Sequence, residues 1–301
     1  MAPAADLKFD HVLNIGSEGT EPGQFKYVED FAFAKDGSLL ATDASHAFVQ
    51  AFDRTTGKFV GRFGGRGDKE NNLEKPEGIA VDGDGNVYVA DYSTGFISKF
   101  DAKFNFAASF SGYGSELGQT IKSEFMDIRN GRLYVPDAGN NRVNVFELSG
   151  KPLFHFGGKG TEAGKFDTPE AAKFDSTGKL FVSDLKNNRI QIFDENGKLL
   201  SMFGREGGGP GEFRAPAGLS FDRVDNLYVT EIGNDRVQVF NNKGQFLTMF
   251  GRKGSANGEF GNLHGIIVDR SNGWVYVADT ANNRVQVFKP VSTESTGKSV
   301  Q

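Results

Sequence analysis

The 301-residue chain contains no cysteine. That absence excludes disulfides, thiol nucleophiles, and zinc or iron–sulfur sites held by thiolates. It also lacks any apolar run near the roughly 20 residues that a membrane-spanning helix needs. The opening MAPAADLKFD has neither the basic nor the apolar part of a signal peptide. Its APAA resembles the small-residue segment left after export. Together with the missing cysteine, this favours an exported protein, periplasmic or extracellular, over a cytoplasmic one. A net charge of −5 leaves no general attraction for nucleic acid. What the chain has in abundance is phenylalanine, 29 copies, and glycine, 40 copies. A large aromatic core cut by many turns follows.

Repetition is the strongest signal. An acidic residue closes VYVAD-like segments at Asp43, Asp91, Asp137, Asp184, Glu231 and Asp279, at intervals of 46 to 48 residues. Such a period indicates a propeller or a solenoid. Each unit holds four short apolar segments; in the second they are GIAVD, NVYVAD, FISKF and FAASF. Runs of β-branched and aromatic residues between DGDGN-type turns predict strands, and no helical periodicity competes. Each unit is thus expected to be a four-stranded antiparallel meander.

The two ends of the chain select between the candidate architectures. The sixth unit stops after its third strand, at VQVFKP, while HVLNIG (residues 11–16) matches the missing piece, FLTMFG (246–251). A first strand that completes the last sheet closes a ring and hides its edges. The expectation is an all-β, six-bladed propeller in one domain over residues 1–288. Residues 7–16 close blade six, and 289–301 form a flexible tail.

KPEGIAVDGDGNVYVADYSTGFISKF and VYVADTANNRVQVF resemble NHL repeats over residues 7–288. The resemblance implies structural ion pairs between the Arg of NNRV and the acid of VAD. Here these would join Arg142, Arg189, Arg236 and Arg284 to Asp137, Asp184, Glu231 and Asp279. The first two units depart from the pattern, with Phe48 and Phe96 where the Arg belongs. Hydrophobic drift is the plain explanation; a ring reshaped around a ligand on one side is the functional one.

Aligning the units on PEGIAVD places one residue per blade at the channel mouth, where ligands of such rings commonly bind. These are Glu29, Glu77, Glu124, Glu170, Ala217 and His264. Gathered carboxylates raise their pKa values, take up water and counter-ions, or bind a cation. The plain outcome is a wet channel. A hard divalent ion such as calcium or manganese would suit the oxygens, and one imidazole admits zinc. A cationic organic ligand would also serve. No cofactor is expected to be required for folding. Further along the same strands, Asp127 and Lys173 come from adjacent blades and are counted with the ligand-binding residues of the mouth; they are expected to pair, or the lysine to position an anionic group.

Known chemistries of this shape fit poorly. NHL-type amidating lyases hold zinc with three histidines, and only His264 occupies that layer here. Calcium-dependent lactonase propellers share the architecture, but their ligand pattern finds no residue-by-residue match. A hydrolase would need one Glu as base on metal-bound water. TGKS at 296–299 lacks the leading glycine of a phosphate loop. DGDGN has Ser93 where a calcium loop closes with Glu. RGD at 66–68 is a chance tripeptide in an inter-blade loop. The loop cations Arg66, Lys159, Arg205, Arg252 and Lys253 mix with acids and alternate with no aromatic platform, which disfavours RNA. The residues therefore point first to a monomeric recognition or sensor propeller for a protein, peptide or small cationic ligand. Second comes a metal-dependent hydrolase or lyase, with Glu29, Glu77, Glu124, Glu170 and His264 as ligands.

Overall fold

The computed structural model describes residues 7–67 and 72–292. The short alternating segments form six sheets of four antiparallel strands. A lone strand, β1 (Leu7–Ile15), comes first. Blade one holds β2 (Val28–Phe33), β3 (Leu39–Asp43), β4 (Phe48–Phe52) and β5 (Phe59–Gly64). Blade two holds β6 (Pro76–Val81), β7 (Val87–Asp91), β8 (Phe96–Phe100) and β9 (Phe106–Ser111). Blade three holds β10 (Asp127–Arg129), β11 (Arg132–Asp137), β12 (Arg142–Glu147) and β13 (Pro152–Gly157). Blade four holds β14 (Pro169–Phe174), β15 (Leu180–Asp184), β16 (Arg189–Phe193) and β17 (Leu199–Phe203). Blade five holds β18 (Pro216–Phe221), β19 (Leu227–Glu231), β20 (Arg236–Phe240) and β21 (Phe246–Phe250). Blade six holds β22 (Ile266–Val268), β23 (Val275–Asp279) and β24 (Arg284–Ser292), with β1 as its fourth strand.

The ring is closed as the sequence predicts, with one correction. β24 runs on to Ser292, and Lys289, Pro290, Val291 and Ser292 pair with Asp10, Phe9, Lys8 and Leu7. These four residues belong to the blade, not to a tail beginning at 289; residues 293–301 lie outside the described residues. Phe9 carries β1 across the junction with blade five, its ring centroid 4.5 Å from that of Phe250 and 5.9 Å from Tyr228.

The phenylalanines explain the core. In four blades a loop Phe before the inner strand packs on the fifth residue of the third strand, also a Phe. The pairs Phe25–Phe52, Phe166–Phe193, Phe213–Phe240 and Phe260–Phe288 have centroids 5.4 to 5.8 Å apart. Each of these rings is essentially out of solvent, a burial that stabilises by about 1.5–3 kcal/mol per ring.

The NNR segment is the lock between blades. The first Asn holds the acid of its own blade, as Asn187 Nδ2 does with Asp184 at 2.9–3.0 Å, and also donates to Gly160 O. The second turns through the left-handed region, with φ of 57° at Asn141, 54° at Asn188 and 51° at Asn283. Asn tolerates that conformation better than most residues. Its side-chain oxygen then accepts the amide that opens the next blade: Thr168, Ala215 and Tyr27 at 2.8–2.9 Å. The Asn283–Tyr27 bond joins the last blade to the first, so circular closure uses the same device as every neighbouring pair that carries it.

The expected ion pairs form. Arg142 Nε meets Asp137 at 2.9 Å, Arg189 meets Asp184 at 2.7 Å, Arg236 meets Glu231 at 2.5 Å, and Arg284 meets Asp279 at 2.7 Å. Each Arg also donates to loop carbonyls; Arg189 reaches Thr161, Glu162 and Lys165. The two departing blades lack the Arg but keep other partners for the acid. Asp43 receives His46 at 2.9 Å and Gln50 at 3.0 Å, while Asp91 accepts the amides of Glu74, Lys75, Ser93 and Thr94. DGDGN is a hairpin turn, with Asp82 accepting the Asp84 and Asn86 amides at 3.0 and 2.9 Å.

Candidate functional site

The inner strands carry a break in register where the axial residue sits: between Val28 and Phe31, Pro76 and Ile79, Pro169 and Ala172, and Pro216 and Leu219. Such a bulge re-aims a side chain, and here it hands each main chain to its neighbour. Thr42 Oγ1 donates to Glu77 O at 2.9 Å, Ser183 Oγ to Ala217 O at 2.6 Å, and Gly265 N to Glu29 O at 2.9 Å. The approach is close enough that a Cβ at Gly78 or Gly265 would fall on the carbonyl oxygen of Glu124 or Glu29.

The ring side chains converge as the alignment predicts. Glu29, Glu77, Glu124, Glu170 and His264 line one cavity of about 420 Å³ and are only 3 to 9 % exposed. Ala217 is buried and outside the lining. Three further side chains belong to this site: Lys75, Tyr27 and Tyr92. Lys75 Nζ lies 2.5 Å from Glu77 Oε1, 3.9 Å from the centre of the Tyr92 ring and 5.8 Å from that of Tyr27. The repeat contained their signal, because Tyr27, Lys75 and Lys122 all stand two residues before the ring glutamate. Tyr92 directly follows the acid of VAD, as Ala138, Leu185 and Ile232 do in later blades, and all four line the cavity.

Burial is the dominant electrostatic fact. It lifts the Glu170 carboxyl to about 8, with the Glu77 charge adding to the effect. It lifts Glu77 to about 7 against the pull of Lys75. Glu29 and Glu124 are held well above the usual carboxylate range by burial first and by their fellow glutamates second. Burial also pushes His264 down to about 4. The imidazole is therefore neutral at pH 7, and its 3.7 Å approach to Glu29 is not an ion pair. His264 Nδ1 also lies 3.2 Å from Thr280 Oγ1. Lys75 is raised although burial opposes it, because Glu77 and Glu29 favour its charge. The floor thus holds more acid groups than it has cations, and it stays protonated in part for that reason.

Asp127 and Lys173 do not lie at this mouth. They line a second cavity, of about 540 Å³, at the opposite end of the channel. Nor do they form the expected ion pair. Lys173 Nζ reaches 3.5 Å from Asp30 Oδ2 across the ring, from blade four to blade one, and donates to Met126 O at 2.8 Å. Asp127 instead accepts the Phe174 amide at 2.8 Å. Burial raises both Asp30 and Asp127, with the nearby Lys173 charge opposing that rise. Asp30 was invisible as a partner because it lies in the bulge, out of register with Lys173.

Among the described residues no three His, Cys, Asp or Glu side chains form a group that could hold a metal ion. The carboxyls share a cavity without closing on one point. The loop cations are mostly neutralised: Arg205 pairs with Glu212 and Arg252 with Glu259, both at 2.9 Å. Of RGD, Arg66 meets Glu74 at 3.6 Å, and Asp68 lies outside the described residues. Among the described residues no helix is long and apolar enough to cross a membrane.

Comparison with known proteins agrees on architecture. The DUF5128 model, a 6-bladed beta-propeller, matches residues 170–229 and 222–294, and the NHL repeat model matches residues 73–100. An auxiliary nutrient binding protein from Bacteroides thetaiotaomicron superposes with a TM-score of 0.71 at 12 % identity, over 95 % of this chain and 77 % of that one. A gluconolactonase from Xanthomonas campestris gives 0.68 at 15 % identity, over 94 % and 99 %. Virginiamycin B lyase from Staphylococcus aureus gives 0.62 at 15 % identity, over 95 % and 100 %. Identities this low establish the fold alone. With six four-stranded blades and a ring closed by its own first strand, the chain is a six-bladed β-propeller, of which residues 73–100 match the NHL repeat.

Proposed function

We propose that this propeller is a recognition or sensor protein that binds a small cationic ligand, an ammonium group, at the glutamate-lined mouth. The observation that carries the reading is Glu170. It is 7 % exposed and opens on the cavity, and its carboxyl has no hydrogen-bond or ion-pair partner among the described residues. A buried carboxyl without a counter-charge stays protonated at a cost. An entering cation removes that cost, so binding and proton release are coupled. The fold neighbours include both a nutrient-binding protein and enzymes, so the site chemistry has to decide. The rival reading, a metal-dependent hydrolase or lyase, lacks a converging donor set among the described residues. Export and a monomeric state are part of the proposal.

The test is calorimetric titration with butylammonium at pH 6.5 in two buffers of different ionisation enthalpy. The expected result is binding with release of protons, lost in Glu170→Gln and Glu124→Gln. Calcium, manganese and zinc are titrated alongside. Stoichiometric binding of one of these metals with no response to the amine would overturn the reading in favour of the rival.

A further inference from the structure

The same cavity is bipolar, and its second charge narrows the ligand class. Above the buried acid floor, two lysines stand exposed at the rim: Lys122 from the entry to blade three and Lys159 from the loop before blade four. Neither has a carboxylate within ion-pair reach among the described residues. Lys122 stands beside Tyr92, 5.5 Å from its ring centre, and Tyr92 first and Glu124 more weakly favour its charge. Lys186, the other rim lysine, is already 3.9 Å from Asp167. Half-buried Leu185 and Ile232 add a small apolar patch to an otherwise polar lining. Buried acids on the floor, lysines at the rim and a small apolar patch describe a ligand with both charges and a short apolar side chain. Resting on the cationic reading of the floor, we infer that the mouth takes an amino acid or short peptide with both ends free. Its ammonium group sits on the glutamates and its carboxylate at Lys122 and Lys159.

A volume of about 420 Å³ accommodates such a molecule within the range of small-ligand sites. The carboxylate contacts are at the exposed rim, so their contribution is modest. It corresponds to about fivefold in affinity.

The experiment titrates the full chain with leucine and dileucine, their C-terminal amides, and their N-acetyl forms. At pH 6.5 the α-amino groups are largely protonated. The free acids are expected to bind about fivefold tighter than the amides, and the N-acetyl forms to fail. In the Lys122→Gln, Lys159→Gln double variant the acid and amide should converge on the amide's affinity. Equal affinities of acid and amide in the wild-type protein would overturn this inference while leaving the cationic site standing. N-acetyl forms that bind as well as the free ones would overturn both, as would failure of every amine.

Discussion

Glu170 and His264 carry opposite errands across the same channel. The Glu170 carboxyl is pushed up to about 8 and the His264 imidazole down to about 4, each by burial. The signs follow by linkage. Between the ordinary glutamate range and pH 8 the folded protein holds a Glu170 proton that the unfolded chain has lost, so stability declines as pH rises through that window. His264 works the other way: the unfolded chain binds its proton below about 6.5, so its share of stability is lost as pH falls from there towards 4. Above pH 6.5 only the glutamates act. The melting temperature of the wild-type protein is therefore expected to fall from pH 6.5 to 8.5. Glu170→Gln should flatten that decline and exceed the wild type at pH 8.5 by on the order of 2 kcal/mol. Melting curves that run parallel for the two proteins would contradict the assignment. The position of each ring residue was legible, since the repeat aligns it. Its protonation was not, because that depends on burial and on charges contributed by other blades.

At the scale of the element, the acid of VAD is a hub. Asp184 is fully buried and receives Arg189, Asn187, Gln191 and the Asp167 amide. Arg189 ties the same hub to three carbonyls of the preceding loop. Removing the Arg leaves a buried carboxylate without its counter-charge. Arg189→Met is thus expected to lower stability by roughly 3–5 kcal/mol, measured by urea denaturation; a loss under 1 kcal/mol would show that the hub is dispensable. The four Arg hubs followed from family resemblance. Blades one and two keep part of the same pattern without the Arg: His46 stands three residues after its acid, where Asn187 stands in blade four, and the Glu74 amide reaches Asp91 as the Asp167 amide reaches Asp184. Phe48 and Phe96 are not identical in role: the Arg62 guanidinium lies 4.1 Å from the Phe48 ring centre, while Phe96 stands 47 % exposed.

The whole molecule depends on β1. It supplies the fourth strand of blade six and reaches blade five through Phe9. Deleting residues 1–16 leaves the edge of β24 open and exposes apolar surface at that junction. The truncated chain is expected to aggregate or to melt far below the full-length protein. Matching melting curves and a monomeric elution profile would refute the closure described here. Across the axis, Lys173 and Asp30 join blades one and four between the two cavities, a contact that exists only once the ring is closed.

The sequence by itself determined the strand inventory, the six-fold period, the closing strand and the column of axial residues, because alternation, turn chemistry and spacing are properties of neighbours along the chain. Tertiary structure alone decided that Lys173 meets Asp30 rather than Asp127, that Lys75 guards Glu77, and that Glu170 stays without a partner. Those outcomes depend on side-chain reach and local dielectric among residues brought together from different blades, and neither quantity is written in the spacing of a repeat.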